Sequence, residues 1–563
     1  MKKRNFFGHY KMIFENEFRG YNTSKFIKDV LAGLTVAAVA LPLALAFGAA
    51  SVEVNPQLGI VAGMITAIFA GVIIGALGGG SFQISGPTGA MTVILGSIVA
   101  QENGIQCMFL ATFMAGGILL VAGLLKFGKL IQFIPRPVIV GFTSGISLVI
   151  AFGQFGNFFG VQLSGSSTMG KVINVFAHQM GDVNWMSVIL TVIATAIIFL
   201  YPKKLAKYVP GTLVSLIAIT VITIILGLFD VDFFNVNKIG EIKGTLVNSE
   251  VLSFTNITGD MITSLIGPAF TIAALGMIES LLCGVCAAKM KNELFDSNVE
   301  LVAQGIGNMV VPFFGGVPAT AAIARTSVAI KSGGQTRVTS VMQSVFLVLC
   351  LFALPKIIAI IPYCALAGVL FATAWKMNDW SAIKGYFKKK QWEAILLFVV
   401  TMICTLLLDL TYAILIGVGL SFILMVVKSK IVIEFSPIEK VNLNEKNNTT
   451  DAVIVYASGS LFFANASELE RQVNTIIDKY EYFIFVFRGI TYLDVSSIET
   501  LNEIVKKLQD SGKKMSFTGA KESVYTKLKR DGFVDLVGED NFYQSLDKLL
   551  LKNDGTTTYF EKQ

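Results

Sequence analysis

Gly78-Gly79-Gly80-Ser81-Phe82-Gln83-Ile84-Ser85-Gly86-Pro87-Thr88-Gly89-Ala90-Met91 interrupts one apolar region of the chain, and Gly315-Gly316-Val317-Pro318-Ala319-Thr320-Ala321-Ala322 interrupts another. Each opens with a Gly-rich stretch that can run extended. Each then places a Pro where a first helical turn is expected, a position at which its missing N–H is no loss. Both are read as helices that begin inside a membrane rather than at its surface.

The surrounding composition supports that reading. Of 563 residues, 54% are hydrophobic and 15% charged, against roughly 25% charged in soluble chains. A bilayer-crossing helix needs ~20 mostly apolar residues, and residues 29–430 divide into about fourteen such segments: 29–50, 57–77, 86–100, 106–125, 131–152, 185–201, 209–229, 260–286, 299–311, 318–331, 338–354, 357–374, 392–408 and 411–427. The first carries Pro42 in its middle and no small-residue cleavage site behind it, so it is a retained span, not a signal peptide. With a cytoplasmic N-terminus, the segments expected inside hold 24 Lys and Arg, among them Lys126, Arg136, Lys289, Lys388, Lys389 and Lys390. Those expected outside hold four: Lys171, Lys238, Lys243 and Lys356. An error of one span would scramble this partition, so the positive-inside rule supports the count and the orientation together.

The two breaks open the third and tenth segments, seven spans apart. An odd separation inverts the second copy, so the two helix starts face each other, as in inverted-repeat transporters that bind substrate near the midplane. Backbone N–H groups at a helix start are unpaired and carry partial positive charge. Two facing starts form an anion site, to which Thr88 and Thr320 add hydroxyl donors. Glu279 and Arg325 are the two charges placed deep within spans, where charge is costly and usually functional. Arg325 lies seven residues past Pro318, ~10 Å along a helix. It biases the potential of the site or, on the plainer reading, pairs with a carboxylate. Glu279 can carry a proton across, or else pair with Arg325 to stiffen the fold. Asp29, Glu53 and Asp409 fall at segment ends and are read as interfacial.

Other chemistries find little footing. The two histidines, His9 and His178, lie outside the spans, and no nucleophile–base pair is visible, so an enzyme is not expected. Cys283 and Cys286 form a CxxC without a second ligand pair and are read as packing residues, leaving no metal or cofactor predicted. Nothing suggests a nucleic-acid partner.

Four motifs in order resemble the SulP family of sulfate permeases. They are Asp29-x-x-Ala32-Gly33-Leu34-Thr35-Val36-Ala37, continuing to Pro42 and Ala46-Phe47; Gln83-Ile84-Ser85-Gly86-Pro87-Thr88-Gly89; Ile278-Glu279-Ser280-Leu281-Leu282; and Pro318-Ala319-Thr320-Ala321-Ala322-Ile323-Ala324-Arg325-Thr326. The resemblance implies an α-helical polytopic membrane protein with a seven-plus-seven inverted repeat, a mobile core domain working against a gate domain, homodimers, and a C-terminal α/β STAS domain. It places Phe47, Gln83, Ser85, Gly86, Thr88, Ala319, Thr320, Ala321, Ala322 and Arg325 around the anion, with Glu279 as the proton-coupling group. The implied function is secondary active transport of sulfate, bicarbonate or dicarboxylate by alternating access, as proton symport. The alternatives are sodium-coupled bicarbonate transport, anion exchange, or a STAS-linked sensor that moves nothing. Sodium-coupled relatives tend to carry Asp followed one turn later by Thr where this chain has Glu279 and Cys283, which disfavours a site of hard oxygen ligands.

The expected organisation is a cytoplasmic segment 1–28, a transport domain 29–430, a linker 431–446 and a cytoplasmic STAS domain 447–563, in a cell inner or plasma membrane. Of 45 Lys and Arg, 16 lie past position 430. There Ala452 to Tyr456, Leu461 to Phe463, Tyr482 to Phe487 and Lys514 to Thr518 read as strands, alternating with helices at Glu468 to Tyr480 and Ser497 to Gln509. Leu461-Phe462-Phe463-Ala464-Asn465-Ala466 and Leu493-Asp494-Val495-Ser496-Ser497 resemble STAS sequences. Related anti-sigma factor antagonists place a phosphorylatable Ser directly after the Asp, where this chain has Val495. The tail is therefore read as an interaction or assembly module, with protein and nucleotide ligands both open.

Overall fold

The structure is a computed structural model that describes residues 14–15, 17–128, 134–161, 168–202, 205, 209–229, 235–242, 244–255, 257–408, 410–428, 432–442, 449–462, 465–549, 551–553 and 557–559. His9, Lys243, Asp409, Lys430, Phe463 and Ala464 lie outside them. The chain divides into two units, Met1–Gly419 and Leu420–Gln563.

Among the described residues, each of the fourteen segments is overlapped by a helix, the last of which continues past Gly419. These helices are α1 (Thr23–Ser51), α2 (Pro56–Leu77), α3 (Gly89–Val99), α4 (Gly104–Leu124), α5 (Arg136–Gly153), α6 (Trp185–Leu200), α7 (Gly211–Leu226), α8 (Gly259–Lys291), α9 (Ser297–Val310), α10 (Ile323–Lys331), α11 (Val338–Ala353), α12 (Tyr363–Met377), α13 (Trp392–Leu407) and α14 (Leu410–Lys428). Shorter helices lie between some of them. Among the described residues, five helical stretches are long and apolar enough to cross a bilayer: Thr23–Ser51, Pro56–Leu77, Gly104–Leu124, Arg136–Phe159 and Gly259–Lys291.

Helix starts follow local chemistry. The side chains of Asn22, Asn55, Asn184, Thr258 and Asp296 each accept from a first-turn N–H, satisfying donors the helix cannot pair itself. α1 and α2 then pack backbone to backbone. A Cβ on Gly48 would stand 2.3 Å from the Gly59 carbonyl oxygen, and one on Gly63 2.2 Å from that of Ala44. This close approach fixes the end of α1 that carries Phe47.

Asp29, read as interfacial, has its partners inside the protein. It is fully buried and accepts from the Thr336 N–H at 3.1 Å, the Thr336 hydroxyl at 2.6 Å, the Thr339 hydroxyl at 2.9 Å and the Tyr21 hydroxyl at 2.9 Å. It therefore ties α1 to the turn that leads into α11, a partner some 300 residues away that no local pattern reveals. The sequence reading does not single out Glu300. It is fully buried in α9, where it accepts from the Gly79 N–H and the Gln304 amide, each at 2.9 Å.

The second unit holds a seven-stranded sheet in the order β7-β6-β5-β4-β3-β9-β8, numbered with β3 (Val432–Asn442), β4 (Thr449–Leu461), β5 (Tyr482–Leu493), β6 (Lys514–Thr518), β7 (Phe542–Tyr543), β8 (Leu551–Asn553) and β9 (Thr557–Tyr559). Phe483, Phe485 and Phe487 alternate onto one face of β5, packing with Phe517, Phe533 and the helices α15 (Ala466–Asn474) and α16 (Val495–Asp510). Tyr482, Ile484 and Val486 occupy the opposite face. Each buried Phe contributes about 1.5–3 kcal/mol, and burial on both faces explains why the first half of β5, Tyr482 to Phe487, is an unbroken apolar run. The stretch 431–446, expected as a linker, instead carries β3. Pro437 breaks its apolar alternation, and the strand is held by antiparallel pairing from Val432↔Ser458 to Ile438↔Ala452, which sequence does not display. Ala452 to Tyr456 and Leu461, read as separate strands, belong to one long β4. At the α16 cap the Asp494 carboxylate accepts from the Ser497 N–H at 2.7 Å, and Ser497 is buried in the reciprocal bond, leaving Val495 and Ser496 exposed.

Candidate anion-binding site

The two interrupted segments meet. Ser85–Gly86 (β1) and Thr320–Ala321 (β2) pair antiparallel, with Ser85 opposite Ala321 and Gly86 opposite Thr320. Extended pairing delays both helices. α3 is capped by Thr88, one residue after Pro87, and α10 by Ala322, four residues after Pro318. The prolines therefore precede the helices instead of opening them, because the backbone beside each is spent on the strand pair. Neither start has a side-chain cap.

This shift relocates Arg325. Expected ~10 Å along a helix, it is the third residue of α10. Its side chain is 1% exposed, and its Nη2 donates to the Pro87 carbonyl at 3.1 Å. Among the described residues, Nε and Nη1 have no hydrogen-bond partner. A cation in the first turn works against the helix dipole, and a buried unpartnered donor is costly. An anion would relieve both penalties. Gly86 makes room for this guanidinium, since a Cβ there would stand 2.3 Å from Nη1.

Glu279, on α8, reaches both breaks. Its Oε2 accepts from the Thr88 hydroxyl at 2.9 Å and the Thr320 hydroxyl at 2.7 Å, and those two hydroxyl oxygens are 3.0 Å apart. Its partners are thus the threonines, not Arg325.

A cavity of about 640 Å³ opens onto these groups. Phe47 from α1, Thr88 and Ala322 from the caps of α3 and α10, Ala321 from the paired strand, Glu279 from α8 and Arg325 from α10 line it. The facing wall brings Thr143 from α5, Phe199 from α6, Thr212 from α7, and Thr373 and Lys376 from α12. Gln83, Ser85, Gly86, Ala319 and Thr320 do not line it. They form its frame: the Gln83 amide donates to the Ser280 carbonyl at 2.7 Å, Ser85 accepts from Gln304 at 3.1 Å, and the Ala319 N–H donates to Asn308 at 2.8 Å. Ser280 supports the same frame by accepting from the Ala321 N–H at 3.1 Å. Lys376 escaped the sequence reading because it follows the end of its segment, although a lone cation closing an apolar helix is a usable signal. Cys283 donates to the Thr326 hydroxyl at 3.4 Å, and among the described residues no cluster of metal-ligating side chains occurs.

Comparison with known proteins agrees with this architecture. The pattern described as the sulfate permease family matches residues 26–428, and that of the STAS domain matches residues 441–549. YvdB of Bacillus subtilis (strain 168), a proposed sulfate transporter, is 32% identical over 96% of this chain and 100% of its own. The bicarbonate transporter BicA of Synechocystis sp. (strain ATCC 27184 / PCC 6803 / Kazusa) is 30% identical over 93% of each. The inward-facing structure of the murine anion transporter Slc26a9 superposes with a TM-score of 0.81, covering 97% of this chain and 94% of that one at 18% identity, a likeness of fold.

Proposed function

Because the chain belongs to the sulfate permease family and carries a STAS domain, we propose that it is a secondary active transporter of a small anion of the sulfate, bicarbonate or dicarboxylate class, driven by proton symport. The observation that carries this reading is Arg325, buried at a helix start with Nε and Nη1 unpartnered beside a cavity. The anion sits against Arg325 and the uncapped starts of α3 and α10, within reach of Thr88. Glu279, beside it, takes up a proton outside and releases it inside. An anion entering next to an ionised carboxylate is repelled and next to a neutral one is not, so the two charges move together. Alternating access exchanges the wall formed by α1, α3, α8 and α10 past the wall formed by α5, α6, α7 and α12. The fourteen helices span an inner or plasma membrane, with the N-terminus and the STAS domain cytoplasmic, and two copies form the working dimer. The STAS domain takes a protein or nucleotide ligand.

The similarity to BicA favours bicarbonate as a second reading of the substrate. Uptake of labelled sulfate, bicarbonate and succinate into proteoliposomes, with and without an inward proton gradient, separates these readings. Glu279→Gln mimics the neutral carboxyl without titrating, so it preserves anion binding and removes the dependence of uptake on the proton gradient. A Gln variant that still accumulates anion under a pH gradient, with wild-type slope, would overturn proton coupling through Glu279.

A further inference from the structure

Glu279 Oε2, Thr88 Oγ1 and Thr320 Oγ1 form a closed triangle with edges of 2.9, 2.7 and 3.0 Å. Every edge is a hydrogen-bond distance. Two hydroxyls bring two protons to three edges. With the carboxyl ionised, both protons go to Oε2, since bonds to a charged acceptor are the stronger ones, and the edge between the threonines holds none. With the carboxyl neutral, a third proton is present: Glu279 donates to Thr320, Thr320 donates to Thr88, and the Thr88 proton is left facing a neutral acceptor in place of a charged one, so a charged anion competes for it successfully.

The two threonines differ in what they face. Thr88 lines the cavity, whereas Thr320 is fully buried behind it. The elements around Glu279 also carry Asp260, Cys286, Lys289 and Lys291 on α8, Lys331 on α10 and Cys107 on α4, none of them hydrogen-bonded to its carboxyl among the described residues. Arg325 on α10 donates to Pro87, Cys283 on α8 donates to Thr326, Glu300 on α9 is held by Gln304 and Gly79, and Lys376 stands across the cavity over the Phe199 ring at 5.8 Å. α3, α4 and β2 bring no charged residue. None of these groups bonds to the carboxyl among the described residues, so its hydrogen-bond partners there are the two hydroxyls.

We infer that Thr88 is a proton-dependent donor to the anion and that Thr320 is a positioning residue that accepts the carboxyl proton and so frees Thr88. This rests on the proposed proton coupling and gives it a mechanism at named atoms. In the ionised state the cavity meets a carboxylate and the lone pairs of Thr88. In the neutral state it meets an O–H able to turn toward the anion. Proton binding thereby removes a repulsion and supplies a donor in one step, with no proton gained or lost by either threonine.

The test measures the KM for labelled sulfate across pH in proteoliposomes of the full chain, for wild type, Thr88→Val, Thr88→Ser, Thr320→Val and Glu279→Gln. Removing one hydrogen bond to a charged ligand costs about tenfold in affinity. Thr88→Val therefore raises KM about tenfold at acidic pH and little at alkaline pH, flattening the profile, and Thr88→Ser restores it. Thr320→Val keeps the amplitude, because the carboxyl can donate directly to Thr88, and moves the profile along the pH axis. Should Thr88→Val not fold, Thr88→Ala with calorimetric sulfate titration at two pH values replaces it. An equal loss at every pH, or a wild-type profile in Thr88→Val while Glu279→Gln is flat, overturns the switch and leaves proton coupling standing. A wild-type pH profile in Glu279→Gln overturns both.

Discussion

The starts of α3 and α10 are near copies in backbone and opposites in chemistry. Each follows a two-residue strand, each is paired to the other through that strand, and neither has a side-chain cap. The third helical position is Met91 in one and Arg325 in the other, and both side chains are buried. The first start contributes a hydroxyl that reaches Glu279, and the second contributes a full charge that does not. A repeated backbone can thus build two anion-facing dipoles while leaving each half free to specialise. In the transport mechanism proposed above, one half sets the standing potential and the other responds to the proton.

Removing the charge is the strongest way to break this asymmetry. Arg325→Ala leaves two helix starts of similar field and costs the charge-assisted bonds of a buried guanidinium, about 3 kcal/mol in total, on the order of a hundredfold in sulfate affinity. Arg325→Lys keeps the charge and loses the planar fork, so it falls between the variant and wild type. Calorimetry on purified protein reads both. Equal affinity in wild type and Arg325→Ala would make the residue structural.

A smaller effect comes from crowding the residue that makes room for it. Gly86→Ala places a Cβ 2.3 Å from Arg325 Nη1, and overpacking of this kind costs about 1–3 kcal/mol. The expected outcome is a roughly tenfold loss of sulfate affinity with the pH profile of uptake retained, since the Glu279 triangle is untouched. Gly96→Ala and Gly117→Ala, whose added methyls meet nothing within 4 Å, are the controls and bind sulfate as wild type does. A Gly86→Ala variant indistinguishable from them would mean that the guanidinium moves freely and is not held in place for the anion.

The parts of this arrangement that sequence displays are those written in local pattern. Each apolar segment is overlapped by a helix among the described residues, because length and apolarity are local properties. The two breaks were visible because Gly and Pro punctuate locally. The candidate residues came together, but half of them serve as frame: Thr320 and Ser85 sit behind the cavity that Thr88 and Arg325 line. Whether a residue faces the cavity or the frame depends on where each helix starts, and that was set by the pairing of β1 with β2, residues more than two hundred positions apart. The same limit hid the tie that Asp29 makes to the turn before α11, the burial of Glu300 and the strand β3. Each of these depends on a distant partner, and a partner of that kind leaves no periodicity behind.

The smallest expected effect tests whether the comparison of the two starts is complete within the first unit. Every residue lining the cavity falls between Thr35 and Met377. The second unit has its own aromatic core around Phe485 and Phe517. Ending the chain after Lys430 removes β3 and the sheet it belongs to, and no residue of the cavity wall or its frame. Sulfate affinity measured by calorimetry on the truncated protein is therefore expected within about twofold of the full chain, under 0.5 kcal/mol, and Arg325→Ala in the truncated background loses the same factor as in the full one. Transport rate and membrane yield can fall without bearing on this point, because they report assembly and movement, not the equilibrium at the site. Loss of sulfate binding by a well-folded truncated protein would show that the tail contributes to the site, and the asymmetry of the two starts would then describe only part of it.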